Sequence, residues 1–305
     1  MSTKNLYFLV ATILCLGVVK LFVYSTQLST EDKAFQEQFS MKYAVFSIVK
    51  PAELNFASEE VPIHSPEVWE RIDKELLKNI YWQSNTMLYF KRANKYFPII
   101  EPILKQYNIP DDFKYLAVIE SGLDNVVSPS GAAGFWQIMK TTGREYGLEV
   151  NKHIDERYNL EKATIVACKY LQDSYNIFGN WTMSAAAYNM GKSGASRRMK
   201  EQITNNYYNL YLNSETARYI FRIIAIKEIM QQPRKYGFLF REQDLYVMPN
   251  FTTIEVDSTI ANLSDFAQSH DLNYKLLKQF NPWLRSKSLP DESRRKYILK
   301  VPTDI

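Results

Sequence analysis

The chain is poor in the residues that build disulfide or metal frameworks. Its 305 residues include two cysteines and three histidines. Cys15 lies in an apolar N-terminal run and Cys168 in a helical stretch, so the two are not placed to pair and no disulfide framework is expected. His64, His153 and His270 are scattered, without HExxH or any ligand-like spacing, so no metal and no cofactor is expected. The net charge is only +4 and no block of Lys or Arg stands out, so no nucleic-acid groove is indicated. Strand-like alternation is missing between Pro66 and Gln231, which excludes a body built on a sheet.

What the chain does have is length, aromatics and helical periodicity. At this length it can bury a sizeable core in about two domains. The 21 Tyr and 17 Phe are mostly core material; a few are suited to line a sugar cleft, because a flat ring offers apolar area with a polar edge. Leu6 to Tyr24 is almost wholly apolar, preceded by Lys4 and followed by Glu31 and Asp32. That polarity predicts an export segment over 1–25, a retained signal anchor or a cleaved signal peptide, with no A-x-A site in evidence. The anchor reading places the protein in the periplasm, attached to a membrane through its N-terminal segment. Leu14 precedes Cys15 where a lipoprotein carries a small residue.

From 26 to 65 the pattern is irregular, with Pro51 and Pro62, and predicts a linker that pairs locally in the Tyr43 to Val49 run. Helical periodicity then begins. Val68, Ile72, Leu76 and Ile80 mark a first helix, a second is expected over Trp82 to Tyr96, and a third after Pro98, ending before Pro110. Leu160 to Phe178, Trp181 to Tyr188 and Glu215 to Gln231 are further helices. After Phe240 the texture changes to strand (Phe251 to Val256), two short helices (Leu263 to Ser269, Tyr274 to Phe280) and a final strand (Tyr297 to Val301). The fold class expected is mainly α, a helical domain over 66–240 followed by a small α+β domain over 245–305.

The most informative stretch runs from Asp111 to Met139. Phe113, Leu116, Ala117 and Glu120 fall at i, i+3, i+4 and i+7, on one face of a helix that Gly122 can stop. A carboxyl in line with an apolar stripe loses hydration, so its charged form is disfavoured and its pKa is expected to rise. Ser128 to Gly134 reads SPSGAAG, a tight loop rather than a helix interior. Phe135, Trp136, Gln137 and Met139 follow, and far downstream AAAYNMG carries Tyr188 and Asn189. Asp124, four residues after Glu120, would be a second carboxylate on a continuous helix; with Gly122 between them, a surface or turn-capping role is expected instead.

Glu-Ser, then Ser-Pro-Ser-Gly-Ala-Ala-Gly-Phe-Trp-Gln-Ile-Met, then Ala-Tyr-Asn-Met-Gly, in this order, resembles the SLT family of lytic transglycosylases, and most of all its membrane-bound lytic transglycosylase D-like group. The resemblance covers roughly Pro66 to Phe240 and implies a lysozyme-like helical fold. It implies cleavage of the MurNAc–GlcNAc β-1,4 bond of peptidoglycan glycan strands without water, leaving 1,6-anhydro-MurNAc ends. It also implies Glu120 as the catalytic acid and base, with Ser128, Gln137, Met139, Tyr188 and Asn189 binding substrate. Lys140 stands where the family commonly has Pro. The strand–helix–helix–strand order at the C-terminus resembles a LysM module, with Val256-Asp257-Ser258-Thr259-Ile260 where such modules usually show Gly-Asp-Thr-Leu. A lysozyme-type hydrolase and a non-catalytic wall-binding scaffold are the alternative readings.

Overall fold

The computed structural model describes residues 4–5, 30–41, 46–290 and 296–303. The apolar run of residues 6–24 lies outside the described residues, as do residues 43–45 of the expected local pairing; residues 46–49 form no strand. Among the described residues no helix is long and apolar enough to cross a membrane. The chain divides into two units, Met1–Ser47 and Ile48–Ile305. In the first, helix α1 spans Thr30–Met41, with Glu31 and Asp32 in its first turn, where the helix dipole favours acidic groups.

The second unit opens with a two-strand hairpin, β1 Asn55–Phe56 and β2 Glu59–Glu60. Both turn residues take positive φ, Ala57 at 52° and Ser58 at 66°, a conformation that usually calls for Asn-Gly. Burial holds it: Phe56 and Val61 are inside the core, and the Asp112 carboxylate accepts from the Ala57 N–H at 2.6 Å and from Lys227 at 2.6 Å. The segment 51–63, expected to be linker, is therefore part of the helical body. Its larger apolar anchors, Leu54, Phe56, Val61 and Ile63, are spaced irregularly, so no periodicity announced them.

The body is built from α2 Pro66–Tyr81, α3 Gln83–Gln106, α4 Lys114–Ser121, α6 Leu160–Phe178, α7 Trp181–Met190 and α9 Thr216–Gln231, with the short α5 Lys140–Glu145 and the polar α8 Lys192–Gln202 between them. The expected second and third helices are one. Helix α3 runs through Pro98 and Pro102, because Phe90, Ala93, Ile100 and Leu104 keep a single buried face across both prolines and the packing outweighs the lost hydrogen bonds. Helix α9 is buried on nearly every side and lies against α2, α4 and α7. Asn159 and Asn180 cap α6 and α7 by accepting from the N–H groups three residues on.

The C-terminal part is a two-stranded antiparallel sheet, β3 Phe251–Val256 with β4 Tyr297–Pro302, paired from Phe251↔Pro302 to Val256↔Tyr297. Helices α10 Leu263–Gln268 and α11 Tyr274–Phe280, capped by Asn262 and Asn273, cover it. Leu263, Leu277, Leu284, Leu289 and Leu299 form its fully buried centre. The architecture is mainly helical with a small α+β part at the end, as expected from the sequence.

Candidate active site

Helix α4 is short and brings Glu120 to its last turn. Gly122 closes it in the left-handed conformation, φ 64°, its N–H donating to the Val118 carbonyl at 2.8 Å. Leu116, Ala117 and Val118 are fully buried, so the helix cannot rotate without exposing them, and Glu120 is left only partly exposed. The Tyr219 hydroxyl of α9 donates to Glu120 Oε1. Arg222, one turn further along α9, donates from Nη2 to the Ile119 carbonyl at 2.7 Å. Burial pushes the Glu120 carboxyl above the usual carboxylate range. The Tyr219 hydrogen bond and the Arg222 charge pull it partly back, and the Glu215 carboxylate pushes it up again. No ion pair neutralises Glu120 among the described residues.

The SPSGAAG loop is fastened to this helix end. Ser121 Oγ donates to the Phe135 carbonyl at 2.8 Å, and the Tyr188 hydroxyl donates to the Trp136 carbonyl at 2.7 Å. Trp136 is fully buried, its indole N–H donating to Thr164 at 2.8 Å. Ser128 Oγ accepts from the Ala132 N–H at 3.0 Å and lies 3.0 Å from Ser130 Oγ. Gln137 has φ 46°, and its side-chain amide donates back to the carbonyls of Val126 (3.0 Å) and Gly134 (2.8 Å). A Cβ at Gly134 would stand 2.0 Å from the Arg157 carbonyl oxygen, so only glycine fits, and the close approach is to the protein's own backbone. Val126, Val127 and Met139 leave a strip of exposed apolar side chain along the loop.

Of the expected site residues, Glu120, Tyr188, Gln137 and Ser128 are thus drawn to one helix end and one loop, and Met139 lies at the loop's exposed rim. None of Ser128, Gln137 or Tyr188 hydrogen-bonds to Glu120. Asn189 sits one residue beyond Tyr188; its Oδ1 accepts from the Thr216 hydroxyl at 2.9 Å and its amide reaches Glu215 at 3.4 Å. Asp124 is exposed and held in an ion pair with Arg92 at 2.8 Å, while Arg92 also donates to the Gly122 carbonyl at 2.9 Å, a turn-fixing role.

Sequence reading missed Tyr219 as a site residue, because it lies on the apolar stripe of α9 with Ile223 and Ile226. The usable signal was that a fully buried phenol needs a hydrogen-bond acceptor; the identity of that acceptor is a tertiary fact. Burial, and next the Glu120 charge, push both Tyr188 and Tyr219 well above their ordinary values, so both act as protonated donors. A polar groove of about 360 Å³ lies elsewhere, at the N-terminal end of α7, lined by Glu59, Glu60, His64 and Asn180 among others. There the Glu59 carboxylate already accepts from the N–H groups of Trp181 and Thr182. Among the described residues no cluster of His, Cys, Asp and Glu is placed to hold a metal ion.

Comparison with known proteins places two domains on this geometry. Residues 97–211 match the transglycosylase SLT domain, which holds Glu120, the loop and Tyr188, and residues 252–305 match the soluble lytic transglycosylase C-terminal LysM-like domain. Membrane-bound lytic murein transglycosylase D of Escherichia coli, strain K12, is 28% identical over 246 residues, 77% of this chain and 52% of the relative; the same protein of strain O6:H1 matches equally. The chain thus spans about half the length of the curated relatives it matches. Among solved structures, the 70 kDa soluble lytic transglycosylase of E. coli aligns with 18% identity and a TM-score of 0.42, covering 68% of this chain and 42% of that one. The chain carries an SLT transglycosylase domain followed by a LysM-like domain.

Proposed function

We propose that this chain is a peptidoglycan lytic transglycosylase that cleaves the MurNAc–GlcNAc β-1,4 bond without water and leaves 1,6-anhydro-MurNAc ends. The observation that carries this reading is the setting of Glu120: one carboxyl, desolvated, hydrogen-bonded by a neutral phenol and matched by no ion pair. Such a group keeps its proton to higher pH than an ordinary carboxyl does and can return it. In the first step Glu120 gives its proton to the glycosidic oxygen, the C1–O bond breaks, and the sugar passes through an oxocarbenium-like state. In the second, the muramic acid 6-hydroxyl attacks C1 and the Glu120 carboxylate takes its proton. The acid is regenerated and no water is consumed. Arg222 and Tyr219 stabilise the carboxylate between the two steps. The Ser128–Met139 loop, Tyr188 and Asn189 supply the surface for the sugar rings.

The matched relatives are membrane-bound by name, and the apolar N-terminal run supports export to the periplasm with retention on a membrane. The domain limits 66–240 and 245–305 stand as part of this proposal, with 51–63 joined to the catalytic part.

A lysozyme-type hydrolase is the second reading, favoured by one observation: the Glu215 carboxylate acts on Glu120 and is itself exposed, where it could activate a water. Mass spectrometry of muropeptides released from purified peptidoglycan separates the two. Products one water lighter than their reducing counterparts, absent with Glu120→Gln, support the transglycosylase. Reducing ends lost with Glu120→Gln and with Glu215→Gln support hydrolysis.

A further inference from the structure

The C-terminal α+β part does not hang from the helical body. The Trp283 carbonyl accepts from the Asp155 N–H at 2.9 Å, the Arg285 N–H donates to the His153 carbonyl at 2.7 Å, and Ile154 and Leu284 form a β-bridge. Arg285 also lies over the Tyr158 ring, 4.3 Å from its centre. Tyr297 donates to Glu149 at 2.9 Å, and Lys300 pairs with Glu161 on α6. The buried cluster of the α+β part includes three residues of the helical body, Ala133, Ile154 and Tyr158. Ala133 belongs to the SPSGAAG loop itself.

The segment 153–158 faces the other way as well. The Asp155 carboxylate accepts from Arg157 Nε at 2.9 Å and Nη2 at 2.7 Å, a two-point pair that is almost wholly buried. Arg157 Nη1 then donates to the carbonyls of Gly131 at 2.9 Å and Ile138 at 3.1 Å. The first lies at the middle of the SPSGAAG loop and the second just after it, and the Arg157 backbone is what Gly134 packs against. A buried pair of this kind contributes little net stability but fixes a geometry. The path therefore runs from Trp283 and Leu284 through Asp155 and Arg157 to Gly131 and Ile138. From there it passes by the Phe135 and Trp136 carbonyls to Ser121 and Tyr188, beside Glu120.

We propose that the LysM-like part is a brace of the active-site loop, acting through Asp155 and the positioning residue Arg157, in addition to any contact it makes with glycan. The activity arm of its test rests on the transglycosylase reading; the exchange arm does not.

Three variants of the full chain test it: Leu284→Ala at the bridge, a double variant Arg285→Ala with Lys300→Ala that removes two side-chain contacts between the parts, and Arg157→Lys, which keeps the charge and loses the fork. Lys296→Ala, an exposed residue paired with Glu255, is the control. Amide hydrogen exchange is followed at Ala133 and Ile138, which bond each other across the loop, and kcat and KM are measured on purified peptidoglycan. The brace expects exchange at both amides to rise about tenfold in all three variants. It expects kcat to fall about tenfold in Leu284→Ala and Arg157→Lys, and less in the double variant, with KM within about twofold. If Asp155 and Arg285 lose protection while Ala133 and Ile138 keep theirs, the brace is overturned. It is overturned too if KM rises at constant kcat, the result for a part that only holds glycan. Should the unaltered chain release no product, the function proposed above fails, and the exchange data still decide for or against the brace.

Discussion

Two adjacent residues of α9 serve two inward-facing glutamates in opposite ways. Arg218 grips Glu75 of α2 with two hydrogen bonds, Nε to Oε1 at 2.7 Å and Nη2 to Oε2 at 2.9 Å, and Lys78 adds a second cation at 3.7 Å. Tyr219, the next residue, turns about a quarter of the way round the helix and donates to Glu120 of α4. Glu75 is a charge matched by charge, on a helix pair that it helps to hold together. Glu120 receives a hydrogen bond from a phenol and no ion pair among the described residues, and burial outweighs the Arg222 charge, so its ionised form stays costly. On the function proposed above, the difference between the structural carboxyl and the reactive one is thus the partner, guanidinium or phenol, more than the depth of burial. Glu75 is in fact the more buried of the two.

Glu120→Gln should break the reactive half of this comparison. Activity is expected to fall by about 10²–10⁴-fold, the usual contribution of a general acid–base group, checked by product release from purified peptidoglycan. The same variant should be no less stable than the parent at neutral pH. Because burial raises the Glu120 carboxyl, the folded chain keeps that proton to a higher pH than the unfolded chain does. Stability is therefore lost as pH rises from the ordinary carboxylate range through the raised value. The variant escapes that loss, and its melting temperature should exceed the parent's above that window and match it below.

Arg218→Ala should break the structural half. It leaves Glu75 buried with only Lys78 nearby, at a cost of about 2 kcal/mol. That is below the ~3–5 kcal/mol of a fully buried pair, because Arg218 is itself about half exposed. Denaturant unfolding measures it, and activity per folded molecule should be nearly unchanged. Equal loss of activity and stability would mean that the two glutamates are coupled through α9.

Tyr219→Phe sharpens the contrast at smaller cost. Loss of one hydrogen bond to a charged group is expected to lower kcat about tenfold, or about 1.4 kcal/mol. Its sign on pH is specific: the bond favours the ionised form, so without it the alkaline limb of the kcat/KM profile should move to higher pH. Glu215→Gln removes a nearby negative charge and should move that limb to lower pH, with little change in the maximum. Shifts of the same sign in both variants would show that the limb does not report Glu120.

Much of this was legible in the residues. The helix over Leu160–Phe178 and the stop at Gly122 follow from periodicity and from glycine's access to positive φ, both properties of a few neighbouring residues. The apolar stripe singled out Glu120 and foretold its raised carboxyl, while the resemblance to the SLT family pointed to the loop and Tyr188 as candidates. The hairpin at Asn55–Glu60 and the unbroken α3 through Pro98 and Pro102 were not legible, because each is a local conformation held against its own propensity by distant packing. The same holds for partners. A sequence states that Tyr219 is apolar-faced and that Arg157 follows Asp155, yet only the tertiary structure decides that the phenol meets Glu120 and the guanidinium meets Gly131 and Ile138. Local conformational preference is written within a few residues, whereas the partner of Glu120 lies 99 positions away and that of Glu75 lies 143 away, and the chain fixes those choices only by closing its core.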